Sequence, residues 1–235
     1  MLLEVANLHA HYGKSHILHG VTFALKDPGI VALLGRNGSG RSTTLKAMMG
    51  WLPPSAGSVR LNGQEMAGRH SFVVARAGLG YVPEERLCFP NLTVEENLRL
   101  GVLKGAPGAP RWSMEDMFTY FPRLKDRRNQ RAGYMSGGEQ QMLTLCRTLL
   151  GNPLVILIDE PTEGLAPKIV DVVTDVIRDI ARKGVGVFLV EQKMSMAMKV
   201  AERVLVMGHG EIVFDGPAEE IQRRQDIRRE WLEVA

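Results

Sequence analysis

Ile30-Val31-Ala32-Leu33-Leu34-Gly35-Arg36-Asn37-Gly38-Ser39-Gly40-Arg41-Ser42-Thr43 is the stretch whose reading decides the fold. Its apolar run, Ile30 to Leu34, has the length of a buried strand and enters a glycine-rich turn directly. The residues after the turn, Ser42 to Met49, have the pattern of a helix. Gly35 to Ser42 follows G-x-x-x-x-G-K-[ST], except that Arg41 stands in the lysine place. Glycines let backbone amides turn inward at low steric cost, and a helix N-terminus adds partial positive charge, so this arrangement suits a phosphate. The candidate contacts are Gly35, Arg36, Asn37, Gly38, Ser39, Gly40, Arg41, Ser42 and Thr43, with the Ser42 hydroxyl placed to ligate Mg²⁺. Taken alone, the same residues also fit a plain glycine turn between a strand and a helix.

Outward from this loop, short apolar runs alternate with amphipathic stretches, the pattern of an α/β protein. Strands are expected at Leu2–Leu8, Val21–Leu25, Gly57–Asn62, Leu79–Val82, Leu154–Ile158 and Val185–Val190, with a hairpin over Val204–Phe214. Helices are expected at Pro167–Arg182 and Ser195–Ala201. Between these halves, Thr93 and Ser113 read as N-caps of two helices, Thr93 with Glu96 three residues on. A helical subdomain is therefore expected at about 88–150, inserted between 1–87 and 151–235.

Composition narrows the class. The chain has 235 residues, 45% hydrophobic and 23% charged, which is the balance of a globular protein with a real core. With 29 basic and 26 acidic residues the net charge is +3, short of the clustered excess of a dedicated nucleic-acid binder. Cys88 and Cys146 form no C-x-x-C pair, which argues against a disulfide scaffold or cysteine zinc site and fits a reducing compartment. The opening residues lack a basic-then-apolar leader, and no apolar run approaches the roughly 18 residues of a membrane span. Work at a membrane would proceed through partners.

Two later motifs point the same way as the loop. Met135-Ser136-Gly137-Gly138-Glu139 is a turn that opens a long apolar-faced helix and can present amides to an anion. Leu154 to Ile158 delivers Asp159 and Glu160 at the C-terminal end of a strand, where α/β sheets place ligands. Neighbouring strand residues face opposite ways, so the two carboxylates can differ in role. Asp159 suits Mg²⁺, and Glu160 suits orientation or activation of an attacking water.

With these three motifs in this order, the sequence resembles the ATP-binding subunits of ABC transporters over nearly its whole length. The signature motif is matched by residues 135–139, with Met135 and Glu139 for the commoner Leu and Gln. The resemblance implies an α/β P-loop NTPase (RecA-like) core with an antiparallel β subdomain and the inserted helical subdomain. It implies that Tyr12 stacks on adenine, that Ser136, Gly137 and Gly138 contact nucleotide across a dimer, and that Glu84 lies at the Q-loop, toward the metal. It places Glu163–Ala166 at the D-loop and Gln192 at the switch position, beside Glu160 in catalysis. GRNGSG, YVPEERLCFPNLTVEENL, MSGGEQQML, DEPTEGLAP and VEQ together resemble the branched-chain amino acid uptake group, whose near relatives import urea or short amides. The implied cofactors are ATP and Mg²⁺. The implied partners are a second ATPase subunit, two membrane permease subunits and, indirectly, a periplasmic solute-binding protein, with this chain peripheral on the cytoplasmic face of the inner membrane.

Arg41 is the sharpest departure. It keeps the charge of lysine but is bulky and forked, so either hydrolysis is impaired or the backbone accommodates it and little changes. The first case would favour an asymmetric heterodimer, or a weakly hydrolysing regulatory subunit. A soluble protein of the same family acting on nucleic acid or ribosomes usually carries two cassettes or long basic insertions, and neither is visible. The basic cluster of Arg123, Lys125, Arg127, Arg128 and Arg131 reads as a solvated surface or a membrane-facing patch. His9, His11, His16 and His19 read as surface or turn residues, and Met194, Met196 and Met198 as adaptable packing.

Overall fold

A computed structural model describes residues 1–233. Its larger sheet has six strands in the order β10-β9-β3-β8-β7-β6. These are β3 (Gly29–Gly35), β6 (Leu79–Val82), β7 (Val155–Asp159), β8 (Gly186–Glu191), β9 (Arg203–Gly208) and β10 (Glu211–Pro217). Five run parallel and β10 returns antiparallel at the edge. The central strands are continuous apolar runs because both faces are covered. Ile30, Ala32, Leu34, Ile156, Ile158, Val187 and Leu189 enter one core, while Val31, Leu33, Val155, Leu157, Phe188 and Val190 enter the other.

The second core is closed by a four-stranded antiparallel sheet, β2-β1-β4-β5, built from β1 (Leu3–Tyr12), β2 (Ser15–Leu25), β4 (Ala56–Leu61) and β5 (Gln64–Glu65). β1 and β2 extend well past the expected Leu8 and Val21. The polar intervening residues form a hairpin closed by Gly13 at φ +58°, where a left-handed turn is cheap for glycine. The four histidines therefore lie on strands rather than in turns. His9 pairs with His19 and His11 with His16, and the rings of His11 and His16 stack at 4.1 Å. Among the described residues, no three His, Cys, Asp or Glu side chains are arranged to hold a metal ion.

Helix α1 (Arg41–Met48) follows the glycine loop, and short α2 (Ser71–Arg76) precedes β6. Between β6 and β7 lie α3 (Val94–Gly101), α4 (Met114–Tyr120), α5 (Pro122–Asp126) and α6 (Gly137–Leu149). Thr93, Ser113 and Ser136 each close a capping box, with Glu96, Asp116 and Glu139 respectively. Buried Asn97 staples the turn before α3, accepting from the Phe89 amide at 2.8 Å and donating to the carbonyls of Phe89, Leu92 and Thr93. Helices α7 (Pro167–Arg182) and α8 (Met194–Val200) pack on the first core, with Met196 buried there and Met194 and Met198 against it. After β10 come α9 (Ala218–Arg223) and α10 (Gln225–Trp231). The Trp231 ring lies where a side chain on Gly208 would project, and packs edge-on against His209. No helix among the described residues is long and apolar enough to cross a membrane.

Candidate functional site

The glycine loop joins β3 to α1 as expected, and two positive φ angles shape it, at Gly38 (+81°) and Gly40 (+110°). Gly40 is forced twice over, because a Cβ there would crowd Leu18 and Met207 at 3.1 and 3.3 Å. The loop is anchored by the Ser39 amide donating to the Arg36 carbonyl (3.1 Å) and the Gly210 amide donating to the Ser39 carbonyl (2.9 Å). These contacts leave Asn37 and Gly38 on an open rim.

A cleft of about 420 Å³ opens above the loop. Tyr12, Asn37, Gly38, Gly40, Arg41, Ser42, Thr43, Glu84, Glu160 and Glu163 line it. Residues scattered over more than half of the sequence thus meet at one place. Half-exposed Tyr12 sits at the end of β1 and lines the cleft. Gly35, Arg36 and Ser39 lie outside this lining, and Arg36 and Ser39 border a second hollow shared with Trp231.

Asp159 closes β7 beneath the cleft and is buried. Its Oδ2 accepts from the Tyr81 hydroxyl at 3.3 Å, whereas its Oδ1 has no partner among the described residues. Burial pushes the Asp159 carboxyl up, the neighbouring Ser42 hydroxyl opposes this, and Glu84 adds to the rise. Oxygen donors from Asp159, Ser42 and Glu84, one of them orphaned, are a set that fits a hard cation such as Mg²⁺.

Glu160 corrects the sequence reading. The strand ends at Asp159, and Glu160 takes a left-handed backbone, φ +42°, uncommon for a residue with a side chain. The two carboxylates diverge through this turn, not through the strand pleat. The Glu160 amide donates to the Val190 carbonyl at 2.9 Å, which fixes the turn to β8. The Glu160 side chain pairs with Arg41 at 2.8 Å, both groups nearly buried. Burial and a hydrogen bond with Glu163 raise the Glu160 carboxyl, and the Arg41 charge pulls it back.

Gln192 and the signature residues do not line the cleft. Gln192 is exposed just beyond β8. Ser136 caps α6, and a side chain on Gly138 would meet Leu165, just before α7, and Ile169 in its first turn. The structure adds residues that sequence reasoning passed over. Thr162 donates to buried Glu191 at 2.9 Å, tying the turn after Glu160 to the end of β8. Arg86, at φ +52°, lays its guanidinium against Gly137 and donates to the Glu163 carbonyl at 2.7 Å. It thereby joins the segment after β6 to the signature turn and the segment before α7.

A protein-family profile described as "ABC transporter" matches residues 18–163, more than half of the chain. The chain belongs to the ABC transporter family. Within that family it is 40% identical to the high-affinity branched-chain amino acid transport ATP-binding protein BraG of Pseudomonas aeruginosa, over 98% of this chain and 99% of that one. It is 32% identical to the probable branched-chain amino acid transport ATP-binding protein LivF of Archaeoglobus fulgidus, with 97% of each chain covered. A solved ATP-binding subunit of an ABC transporter superposes with a TM-score of 0.81 at 28% identity, covering 97% of this chain and 95% of that one. The α/β fold read from the strand, loop and helix around Gly35 is thus the family's ATPase cassette.

Proposed function

We propose that the chain is the ATP-binding and ATP-hydrolysing subunit of an importer for branched-chain amino acids. The observation that carries this is the convergence of Tyr12, the 35–43 loop, Glu84 and Glu160 on one cleft with Asp159 beneath it. The likeness to BraG along both full lengths supports the solute class.

In this reading Tyr12 stacks on adenine, and the amides of 38–43 with Arg41 grip the phosphates. Ser42, Asp159 and Glu84 would hold Mg²⁺, which when bound would supply positive charge against the phosphates. Glu160 takes a proton from the attacking water as that oxygen bonds to the γ-phosphorus. The bond to the bridging oxygen then breaks, and ADP leaves with its electron pair. Ser136, Gly137 and Gly138 lie outside the cleft and complete the site across a dimer with a second ATPase subunit, whereas Gln192, just beyond β8, acts beside Glu160 of its own chain. Residues 88–150 act as the helical subdomain that transmits closure of that dimer.

The permease surface is an apolar groove of about 590 Å³, bordered by Trp51, Phe72, Leu87, Phe89, Leu100 and Leu103. Phe72 and Leu100 are 57% and 56% exposed, more than a core needs and suited to cover by a partner. Through it the chain sits on the cytoplasmic side of the membrane without spanning it.

Extraction of native membranes in mild detergent, followed by mass spectrometry of what co-purifies, tests the reading. Two polytopic membrane proteins and an ATPase subunit are expected, with leucine uptake lost on deletion of the gene. Leu100→Asp should lose the membrane proteins while keeping ATP affinity. Recovery of soluble or ribosomal partners alone would refute the importer.

A further inference from the structure

The two terminal nitrogens of Arg41 have different surroundings. Nη2 donates to Oε1 of Glu160 at 2.8 Å and to Oδ1 of Asn37 at 3.1 Å. Nη1 is buried and finds no acceptor among the described residues. An unpartnered buried donor is costly, and a guanidinium one more so than a neutral one. Arg41 is 6% exposed and lines the cleft beside Ser42 and Thr43, so an acceptor that enters the cleft comes up against its guanidinium. Phosphate oxygen meets that need.

Glu160 is the second half of the observation. Its backbone is in the left-handed region, its side chain is 11% exposed, and among the described residues Arg41 is its ion-pair partner. A carboxylate held so deeply, beside Glu163 and near Glu84, needs a counter-charge to stay ionised and in place. Lysine carries its three donors on a single nitrogen, so phosphate and carboxylate could share it only by both closing on that one point. The rigid fork of arginine serves two acceptors at once.

We propose that Arg41 is a positioning residue that bridges the γ-phosphate to Glu160: Nη1 grips the phosphate while Nη2 holds the carboxylate beside it. Arg41 is then not a weakened lysine, because it fixes the residue that receives the proton of the attacking water. This rests on the nucleotide reading above, and the test separates the two.

Arg41→Lys, Glu160→Gln and the double variant are placed in the assembled complex with every other subunit unchanged. ATP affinity of each purified chain is measured in EDTA, where no turnover occurs, and kcat and KM are measured in the complex. Arg41→Lys should bind ATP within roughly threefold of the parent and leave KM little changed, while kcat falls about tenfold or more. The double variant should be no slower than Glu160→Gln alone, since the two residues act as a unit. As a second route, guanidinium but not methylammonium should restore kcat to Arg41→Ala. An unchanged or raised kcat in Arg41→Lys, effects that multiply, or equal rescue by both cations would overturn the bridge and leave the nucleotide reading standing. A parent chain that binds no ATP, or a Glu160→Gln variant that turns over normally, would overturn both.

Discussion

Asn97→Ala is expected to loosen the segment that borders the apolar groove while sparing the nucleotide cleft. Asn97 is fully buried and forms five hydrogen bonds through its amide, but they are not equally exposed to loss. Each carbonyl it serves keeps another donor: Phe89 O retains the Leu92 amide, Leu92 O the Ala132 amide, and Thr93 O the Asn97 amide itself. The Phe89 amide and Nη1 of Arg147 lose their acceptor, but Arg147 is half-buried and keeps its bond to the Leu87 carbonyl through Nη2, so the Phe89 amide is the costly orphan. One orphaned buried donor plus the lost net bonding amounts to about 2–3 kcal/mol, well below five times a typical bond. For a chain of this size that corresponds to a fall in melting temperature of about 4–12 °C. Circular dichroism melts of the nucleotide-free parent and variant read this directly. ATP affinity in EDTA should be unchanged, because Asn97 touches none of the cleft residues. A shift below about 1 °C would show that the staple carries no stability and that the turn is held by its apolar neighbours. Loss of ATP binding in proportion would show that the groove and the cleft are not separable.

Two further outcomes follow from named contacts. Tyr12→Ala should weaken ATP binding by about 1–3 kcal/mol, roughly 5- to 150-fold in Kd by titration calorimetry, with Tyr12→Phe close to the parent. The Tyr120 hydroxyl and then the Lys183 ammonium hold the Asp179 carboxyl below its ordinary 3.8. The stability they add is therefore full above that pH and is lost as pH falls through the lowered value. Melting temperatures of the parent and Tyr120→Phe should differ at about pH 5 and converge toward about pH 2, and a constant gap would refute the linkage.

What was legible in the sequence is what neighbouring residues decide. Ile30 to Thr43 announces strand, loop and helix because apolar continuity, glycine placement and helix entry are local properties. Thr93-x-x-Glu96 and Ser113-x-x-Asp116 place two helix starts for the same reason. The hairpin of β1 and β2 is half hidden in the sequence, because an irregularity between Val5 and Leu8 breaks the apolar alternation, and His9 and His16 beyond it are polar. Strand periodicity puts Glu160 on a strand face, since nothing in Asp-Glu-Pro declares a left-handed turn. That turn is set by Val190, 30 residues away in the chain. Arg86 with Glu163, Thr162 with Glu191 and Arg41 with Glu160 share this character. Each pair closes only when strands remote in sequence lie side by side, so no spacing in the linear text reports it.

The contact between Gly208 and Trp231 ties two distant positions into a single choice. Trp231 occupies the space a side chain at 208 would need, within the hollow that also touches Arg36 and Ser39. Among chains that carry this terminal helix, a larger residue at 208 is expected to arise only after 231 has become small. Mutational histories here are therefore ordered: one route keeps the cassette folded throughout, and the reverse route passes through a clash beside the phosphate loop.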